Sequence, residues 1–359
     1  MPTPTISIPT SGVFTRRGQT EPRANAQRRY LLTHLENNDY VLEIDWTSIS
    51  NYLACPRKAL WSLIHARNEP RSAALLYGSA IHHALEAYHR GERDLEKVLA
   101  RGRLEFQGVN ALFLDWRNED KYTDTIIRYI KKYGETDPIL FQPITFDDGS
   151  LMVEQAFSLP LTQIKVNQYV PWPYTQLVTP TAQSYGESMS RFWIDNIHVQ
   201  WTGVIDLGLT SQGQRWVMDH KTSSIGGQTF WDQFTLSQQL RGYIWAAQSI
   251  TGHTYEGGVV NALFGRKPSA KGQGKDLELE RQRIHYRPDQ ISEWHTSMTS
   301  IVVDLVHRVV TDNFPEHSNA CVGKYGRCTY LDVCSMPRDA RLTMLASDQY
   351  ADNVWNPLD

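Results

Sequence analysis

A mixed fold class, α/β or α+β, follows from three features of the chain. Up to about residue 150, apolar residues recur at helical spacing. From Leu151 onward the segments alternate or run apolar and are rich in Val, Ile, Trp and Phe. One helical stretch interrupts those strands before a last helix and a cysteine-bearing tail. The order is therefore helices, a mostly antiparallel strand cluster with one helix inside it, then helix and tail.

Bulk properties suit a soluble globular protein with a real core: 359 residues, 41% hydrophobic and 21% charged. No apolar run approaches bilayer length, so no membrane contact is expected. The N-terminus lacks the apolar stretch of a secretory signal, and a cytoplasmic protein is expected. A net charge of −3 argues against a surface coated in base for indiscriminate DNA binding, but allows a local basic groove. The 11 Trp and 17 Tyr are mostly core candidates, and some could stack on bases.

Each element has its own sequence reason. Residues 1–28, rich in Pro, Thr, Ser and Arg, read as a flexible arm. Asp45-Trp-Thr-Ser-Ile-Ser-Asn51 offers N-cap residues for a helix reaching Leu63. A second helix runs from Leu76 or Gly78 to His89, with Ile81, Leu85 and Tyr88 on its apolar face, and helical patterning continues through Leu95–Phe106 and Asp120–Tyr133. LMVEQAFSLPL, RFWIDN, IHVQWTGVIDLGLT and QRWVMDHK read as strands. Ser211-Gln-Gly-Gln214 is a hairpin signal, which makes the Asp206 and Asp219 segments antiparallel neighbours. A helix over about Asp232–Thr251, closed by Gly252, precedes the strands EGGVVNALFG and LERQRIHYR. The loop between those strands, Gly265 to Lys275, is either mobile surface or a nucleic-acid contact through Arg266, Lys267, Lys271 and Lys275. A long helix, Asp289–Asp312, leads to the tail. Residues 29–340 are expected to form a single domain with a helical insertion at about 90–150, followed by a C-terminal tail, 341–359.

Chemistry gathers on three segments: Gly78-Ser-Ala-Ile-His82 on a helix, Gly203-Val-Ile-Asp206 on a strand, and Asp219-His-Lys221 on its neighbour. Asp219 and Lys221 share a strand face, because strand side chains alternate. Two carboxylates at adjacent strand ends offer hard oxygen donors for Mg²⁺ or Mn²⁺, and a His nitrogen suits Mn²⁺ better. A lysine beside them can orient a water or stabilise charge on a phosphate. Singly, each has a plainer reading: His82 as a partly buried or capping histidine, Asp206 as a strand terminus, Asp219 and Lys221 as a surface ion pair.

The four cysteines are Cys55 and the C-x6-C-x5-C run Cys321, Cys328 and Cys334. A cytoplasmic chain disfavours disulfides. Four thiolates suit structural zinc or an iron–sulfur cluster, and spacing alone leaves both open, with free thiols as the remaining case.

In this ordered company the chain resembles the PD-(D/E)XK nucleases of the RecB-like exonuclease group, which includes CRISPR-associated and phage-encoded exonucleases with an iron–sulfur cluster. Five segments carry the resemblance: Ser48-Ile-Ser-Asn-Tyr-Leu-Ala-Cys55-Pro56, Gly78-Ser-Ala-Ile-His82, Gly203-Val-Ile-Asp206, Asp219-His-Lys221 and Gln239-Leu-Arg-Gly-Tyr243. With the C-terminal cysteines, they span about residues 46–340. The resemblance implies a restriction-endonuclease-like core, a central mixed sheet flanked by helices, with a helical N-terminal part and a Cys-rich tail.

It also implies that His82, Asp206 and Asp219 hold the divalent metal, with the His220 carbonyl as a further ligand, and that Lys221 positions the attacking water and steadies the phosphate. Gln239 and Tyr243, at i and i+4, share a helix face that meets the DNA backbone, buttresses Lys221 or simply packs. Glu86 and Glu154 are candidates to contact the metal ligands. His83 is a rival to His82, whose place after Gly78 favours it. For the cysteines, the resemblance favours a [4Fe-4S] cluster over zinc, stapling Cys55 to the tail.

The implied activity is metal-dependent hydrolysis of DNA on single strands or duplex ends, in recombination, repair or phage and mobile-element DNA processing. A helicase or recombination partner is compatible with it, as is the host cytoplasm for a phage-encoded protein. The rival readings are a non-catalytic or partner-dependent DNA-binding assembly module that kept the fold, and a structure-specific endonuclease. The presence of Asp206, Asp219 and Lys221 disfavours the first, and the cysteine tail with the Gln239–Tyr243 helix disfavours the second.

Overall fold

The computed structural model describes residues 6–7, 32–35, 37–65, 67–68, 71–109, 114–135, 141–171, 191–267, 276–323 and 326–352. Lys271, Lys275 and most of the 1–28 arm lie outside the described residues. The fold is mixed α/β, a central mixed sheet flanked by helices.

In chain order the elements begin with β1 (Ile6–Ser7), β2 (Leu32–His34), β3 (Tyr40–Ile44), α1 (Trp46–Ala54), α2 (Pro56–Ala59) and β4 (Arg67–Asn68). Then come α3 (Ala73–His89), α4 (Leu95–Arg103), α5 (Glu119–Glu135), β5 (Gln142–Pro143), β6 (Val153–Pro171), β7 (Arg191–Ser211) and β8 (Gln214–Ser223). Next are α6 (Gln228–Asp232), α7 (Gln238–Thr251), β9 (Gly257–Gly265), β10 (Leu277–His285) and α8 (Pro288–Thr311). The tail holds β11 (Val322–Gly323), β12 (Gly326–Arg327), α9 (Leu331–Ser335), α10 (Arg341–Leu345) and β13 (Ala351–Asp352). Among the described residues no helix is long and apolar enough to cross a membrane.

The chain divides into two compact units: 1–70, 156–203 and 295–359 form the first, and 71–155 and 204–294 the second. In the second unit, β7 and β8 pair antiparallel from Leu207↔Met218 to Ser211↔Gln214. Gln212 (φ 53°) and Gly213 (φ 77°) make the tight turn, two successive positive φ values as a two-residue hairpin of this twist requires. β8 then runs parallel to β9, from Trp216↔Gly257 to Ser223↔Phe264, and β9 antiparallel to β10. A parallel pair needs a crossover, and α7 lies in the chain between these two strands.

Alternation assigns the two faces of β8. Met218 and Val259 lie in one apolar cluster with Leu207, Leu209 and Trp216. On the same face Thr222 abuts Gly78 of α3, whose missing Cβ lets helix and strand approach. Leu263, on that face too, packs with α3, α4 and α5 through Tyr77, Ile81, Leu85, Leu99 and Tyr122. The opposite face carries Val217, Asp219 and Lys221, beside Gly258, which contacts Leu240 of α7. Hence Asp219 and Lys221 look toward α7, while the His220 ring looks the other way.

In the first unit β3 pairs with β2 antiparallel and with residues 197–201 of β7 in parallel. The helix expected to run on to Leu63 is interrupted. Asp45 caps α1, its Oδ1 accepting from the Ser48 amide at 2.9 Å. Cys55 then adopts an extended conformation (φ −162°, ψ 116°), because the Pro56 ring disfavours helical geometry in the residue before it. A short α2 and a π-helical turn, Leu60–Ile64, complete the segment. The helix expected over about Asp232–Thr251 begins only at Gln238, as α7, while α6 ends at Asp232. Ser237 caps its start, its Oγ accepting from the Leu240 amide at 3.2 Å, and Gly252 (φ 67°) ends it.

Candidate active site

The metal-binding candidates in the second unit converge on the main chain of His220. Beyond the Leu207↔Met218 pair, the His220 amide donates to Asp206 Oδ2 at 2.6 Å. The His220 carbonyl lies 3.0 Å from His82 Nε2. A carbonyl can only accept, so Nε2 carries a proton and Nδ1 faces the acids. Nδ1 lies 3.5 Å from Asp206 Oδ1 and 3.9 Å from Glu154 Oε1. Ligand atoms of His82, Glu154 and Asp206 all fall within 4.8 Å of one another.

Both carboxylates are buried, whereas 31% of the His82 side chain is exposed. Desolvation opposes charging of the His82 ring, but Asp206 and Glu154 outweigh it and raise its pKa well above the ordinary value. Burial likewise works against ionised Asp206, yet His82 and the His220 amide hold its pKa low. Burial raises the Glu154 pKa, and the Asp206 charge adds to this against the pull of His82. A partly exposed imidazole with its nitrogen toward two buried carboxylates is a donor set that fits Mn²⁺ or Mg²⁺.

Glu154 reaches this position through unusual backbone. Its φ of 47° is uncommon for a residue with a side chain. Arg90 Nη2 donates to the neighbouring Val153 carbonyl at 2.8 Å, helping hold the bend.

On the α7 face, Lys221 Nζ lies 2.9 Å from Asp219 Oδ1 and 2.8 Å from Oδ2. It also donates to Gln239 Oε1 at 2.9 Å, and Gln239 Nε2 in turn donates to the Tyr243 hydroxyl at 3.0 Å. The i, i+4 pair on α7 thus contacts Lys221 through Gln239 and supports Gln239 through Tyr243. Burial raises the Asp219 pKa, against the lowering by Lys221 and together with the Asp206 charge. Asp219 therefore pairs with Lys221, outside the compact His82–Glu154–Asp206 group.

Of the remaining candidates, Glu86 is near enough for its charge to raise the Glu154 pKa further. His83 Nδ1 is 3.5 Å from Glu105, and Glu86 pairs with Arg90 at 3.0 Å. Arg266 pairs with Glu278 at 3.3 Å, and Lys267 is exposed. Sequence reasoning missed His89, Tyr129, Asn261 and Arg281, which back the His220 ring. Only the strand pairing Asn261↔His220 could have flagged one of them, and it requires knowing that β8 and β9 are parallel neighbours.

In the first unit all four cysteines line one cavity of about 200 Å³, with Lys58 and His317 also on its wall. The helix break at Cys55 places that thiol beside the His317 amide, which donates to its sulfur at 3.3 Å. Trp61 Nε1 donates to Cys334 Sγ at 3.4 Å, and the Cys328 amide bonds the Cys321 carbonyl at 2.8 Å. Trp61, Tyr330, Val333, Leu345 and Tyr350 form the adjoining apolar cluster. Four sulfurs around one cavity, with N–H donors aimed at two of them, are a donor set that fits a thiolate-held metal centre.

Comparison with known proteins adds the family. No curated protein sequence matches the chain. Among solved structures, the chain is similar to that of a proposed exonuclease from Eubacterium rectale, at 12% identity and a TM-score of 0.41, over 85% of this chain and 93% of that one. The PD-(D/E)XK nuclease superfamily matches residues 46–335, an interval that holds His82, Glu154, Asp206, Asp219, Lys221 and all four cysteines. With that match over most of its length, the chain belongs to the PD-(D/E)XK nuclease superfamily.

Proposed function

We propose that this protein is a divalent-metal-dependent deoxyribonuclease of the RecB-like group, hydrolysing phosphodiester bonds from single-stranded or duplex DNA ends. The observation that carries this reading is the Asp219-His220-Lys221 segment. Its middle peptide engages Asp206 and His82, while its flanking side chains, Asp219 and Lys221, meet each other and Gln239. His82, Glu154 and Asp206 would hold the cation, with Asp219 and the His220 carbonyl, 3.0 Å from His82 Nε2, as the further ligands the resemblance implies. When bound, the cation supplies Lewis acidity, offsetting phosphate charge and making a nearby water more acidic. Lys221, held on two sides, presents its remaining N–H toward a phosphate oxygen or the attacking water. Gln239 keeps the ammonium from collapsing onto Asp219 alone, and Tyr243 fixes the Gln239 amide orientation.

For the cysteine cavity, lined by four thiols, the resemblance to iron–sulfur exonucleases favours a [4Fe-4S] cluster over zinc, which takes four thiolates as well.

Digestion of end-labelled linear and covalently closed circular DNA with Mg²⁺ or Mn²⁺ tests the assignment. Linear substrates should be degraded and circles spared, with Asp219→Ala and Lys221→Ala inactive. Cutting that survives both substitutions would remove the assigned site. Cutting of circles would turn the reading toward an endonuclease, and binding without cutting toward an assembly module.

A further inference from the structure

Behind the proposed metal site, on the face of β8 away from Lys221, lies a buried polar relay that no motif accounts for. Asn261 of β9 is fully buried and sits opposite His220 in the register. Its Oδ1 lies 3.0 Å from Arg281 Nε, its Nδ2 3.1 Å from the Tyr129 hydroxyl and 2.8 Å from His220 Nδ1. Arginine only donates, so the atom facing Arg281 must be the carbonyl oxygen, and the amide orientation of Asn261 is settled. Its NH₂ then faces His220, whose Nδ1 must accept, leaving the imidazole neutral with its proton on Nε2. Arg281 is clamped in turn, bonded through Nη2 to the Tyr129 hydroxyl and lying 3.7 Å from the Tyr133 ring centroid. The His89 ring stacks on His220 from the other side, at 5.5 Å and 14°.

The consequence lies on the opposite side of the same residue. The His220 amide and carbonyl are the groups that engage Asp206 and His82. A ring anchored by a hydrogen bond at its edge and by stacking on its face restrains the main chain from which it hangs. We infer that Asn261, oriented by Arg281, is a positioning residue: it locks the His220 ring and thereby sets the geometry at which His82 and Asp206 receive a divalent cation. This rests on the proposed metal site but assigns a role to residues outside it. Comparable partners behind metal ligands typically change metal affinity or activity by about 10–100-fold when removed.

The test is Mn²⁺ titration of the full-length protein, followed by electron paramagnetic resonance, for the parent, Asn261→Leu, Arg281→Met and Asp206→Ala. Thermal melting and Trp fluorescence report folding in parallel. Asn261→Leu, which keeps the branched shape but cannot bond the ring, should weaken Mn²⁺ binding by at least tenfold while the protein stays folded. Arg281→Met, at the outer end of the relay, should show a smaller loss in the same direction. It decides the matter if Asn261→Leu does not fold. Folded variants that bind Mn²⁺ as tightly as the parent, with Asp206→Ala unable to bind, would overturn the positioning role and leave the metal site standing. Unchanged binding in Asp206→Ala would overturn the site itself.

Discussion

Glu154 is the residue whose part changes most between sequence and structure. As one acid in an apolar strand it carries no signal of its own, and Asp219 is the more obvious ligand. Its left-handed backbone turns the carboxylate toward His82 and Asp206, while Lys221 occupies Asp219. Backbone in such sparsely populated regions costs on the order of 1–3 kcal/mol and persists where surrounding structure over-determines it. Glu154→Gln keeps the shape and removes the charge. It should weaken Mn²⁺ binding by roughly tenfold or more, by analogy with other groups around metals, while Tm changes little. Mn²⁺ affinity equal to that of the parent would take Glu154 out of the ligand set.

At the scale of elements, helix α3 is held close to its neighbours by small residues. Gly102 of α4 faces the Ala80 carbonyl and the Tyr122 ring so closely that an added Cβ would overlap both. Gly→Ala inside a helix ordinarily stabilises by about 1 kcal/mol. Here the sign should reverse, and Gly102→Ala should lose about 1–3 kcal/mol in chemical denaturation, as overpacking does. A gain in stability would mean that α4 has room to move.

The start of β10 is tied to α5 by charge. Asp276 accepts from Lys121 at 2.7 Å and Arg128 at 3.0 Å, and these bonds lower its pKa to about 2. A carboxylate depressed in the folded state contributes stability above its unfolded pKa of about 3.9, and that contribution is lost as pH falls toward the folded value. The Tm gap between the parent and Asp276→Asn should therefore be present at neutral pH and close between about pH 4 and 2. A gap independent of pH would sink the assignment. The side chain is 42% exposed, so screening keeps the effect modest.

At the scale of the whole molecule, the cysteines close one of the long spans in the chain. Cys55 and Cys334 meet at one cavity although most of the sequence lies between them. A bound group there would link the two ends of the first unit, and its binding free energy would become folding free energy. Cys328→Ala should therefore lower both soluble yield and Tm, and should bleach the visible absorption of anaerobically purified protein. A colourless parent containing stoichiometric zinc would replace the cluster with zinc. A variant as stable and active as the parent would remove the staple.

Sequence by itself determined what is local or periodic: the strand alternation that puts Asp219 and Lys221 on one face, the Gln212–Gly213 turn that pairs β7 with β8, the cap at Asp45, and the i, i+4 spacing of Gln239 and Tyr243. It overran at Pro56, where steric restriction stops a helix, and ahead of Ser237, the cap at which α7 begins. Only the tertiary structure decided that Glu154 meets His82 and Asp206 and that Asn261 meets His220, whereas Gln239 beside Lys221 and Cys55 beside the tail were expected through the family resemblance alone. The reason is physical. Side-chain periodicity fixes the direction in which a residue points, but packing of elements far apart in the chain fixes what it finds there.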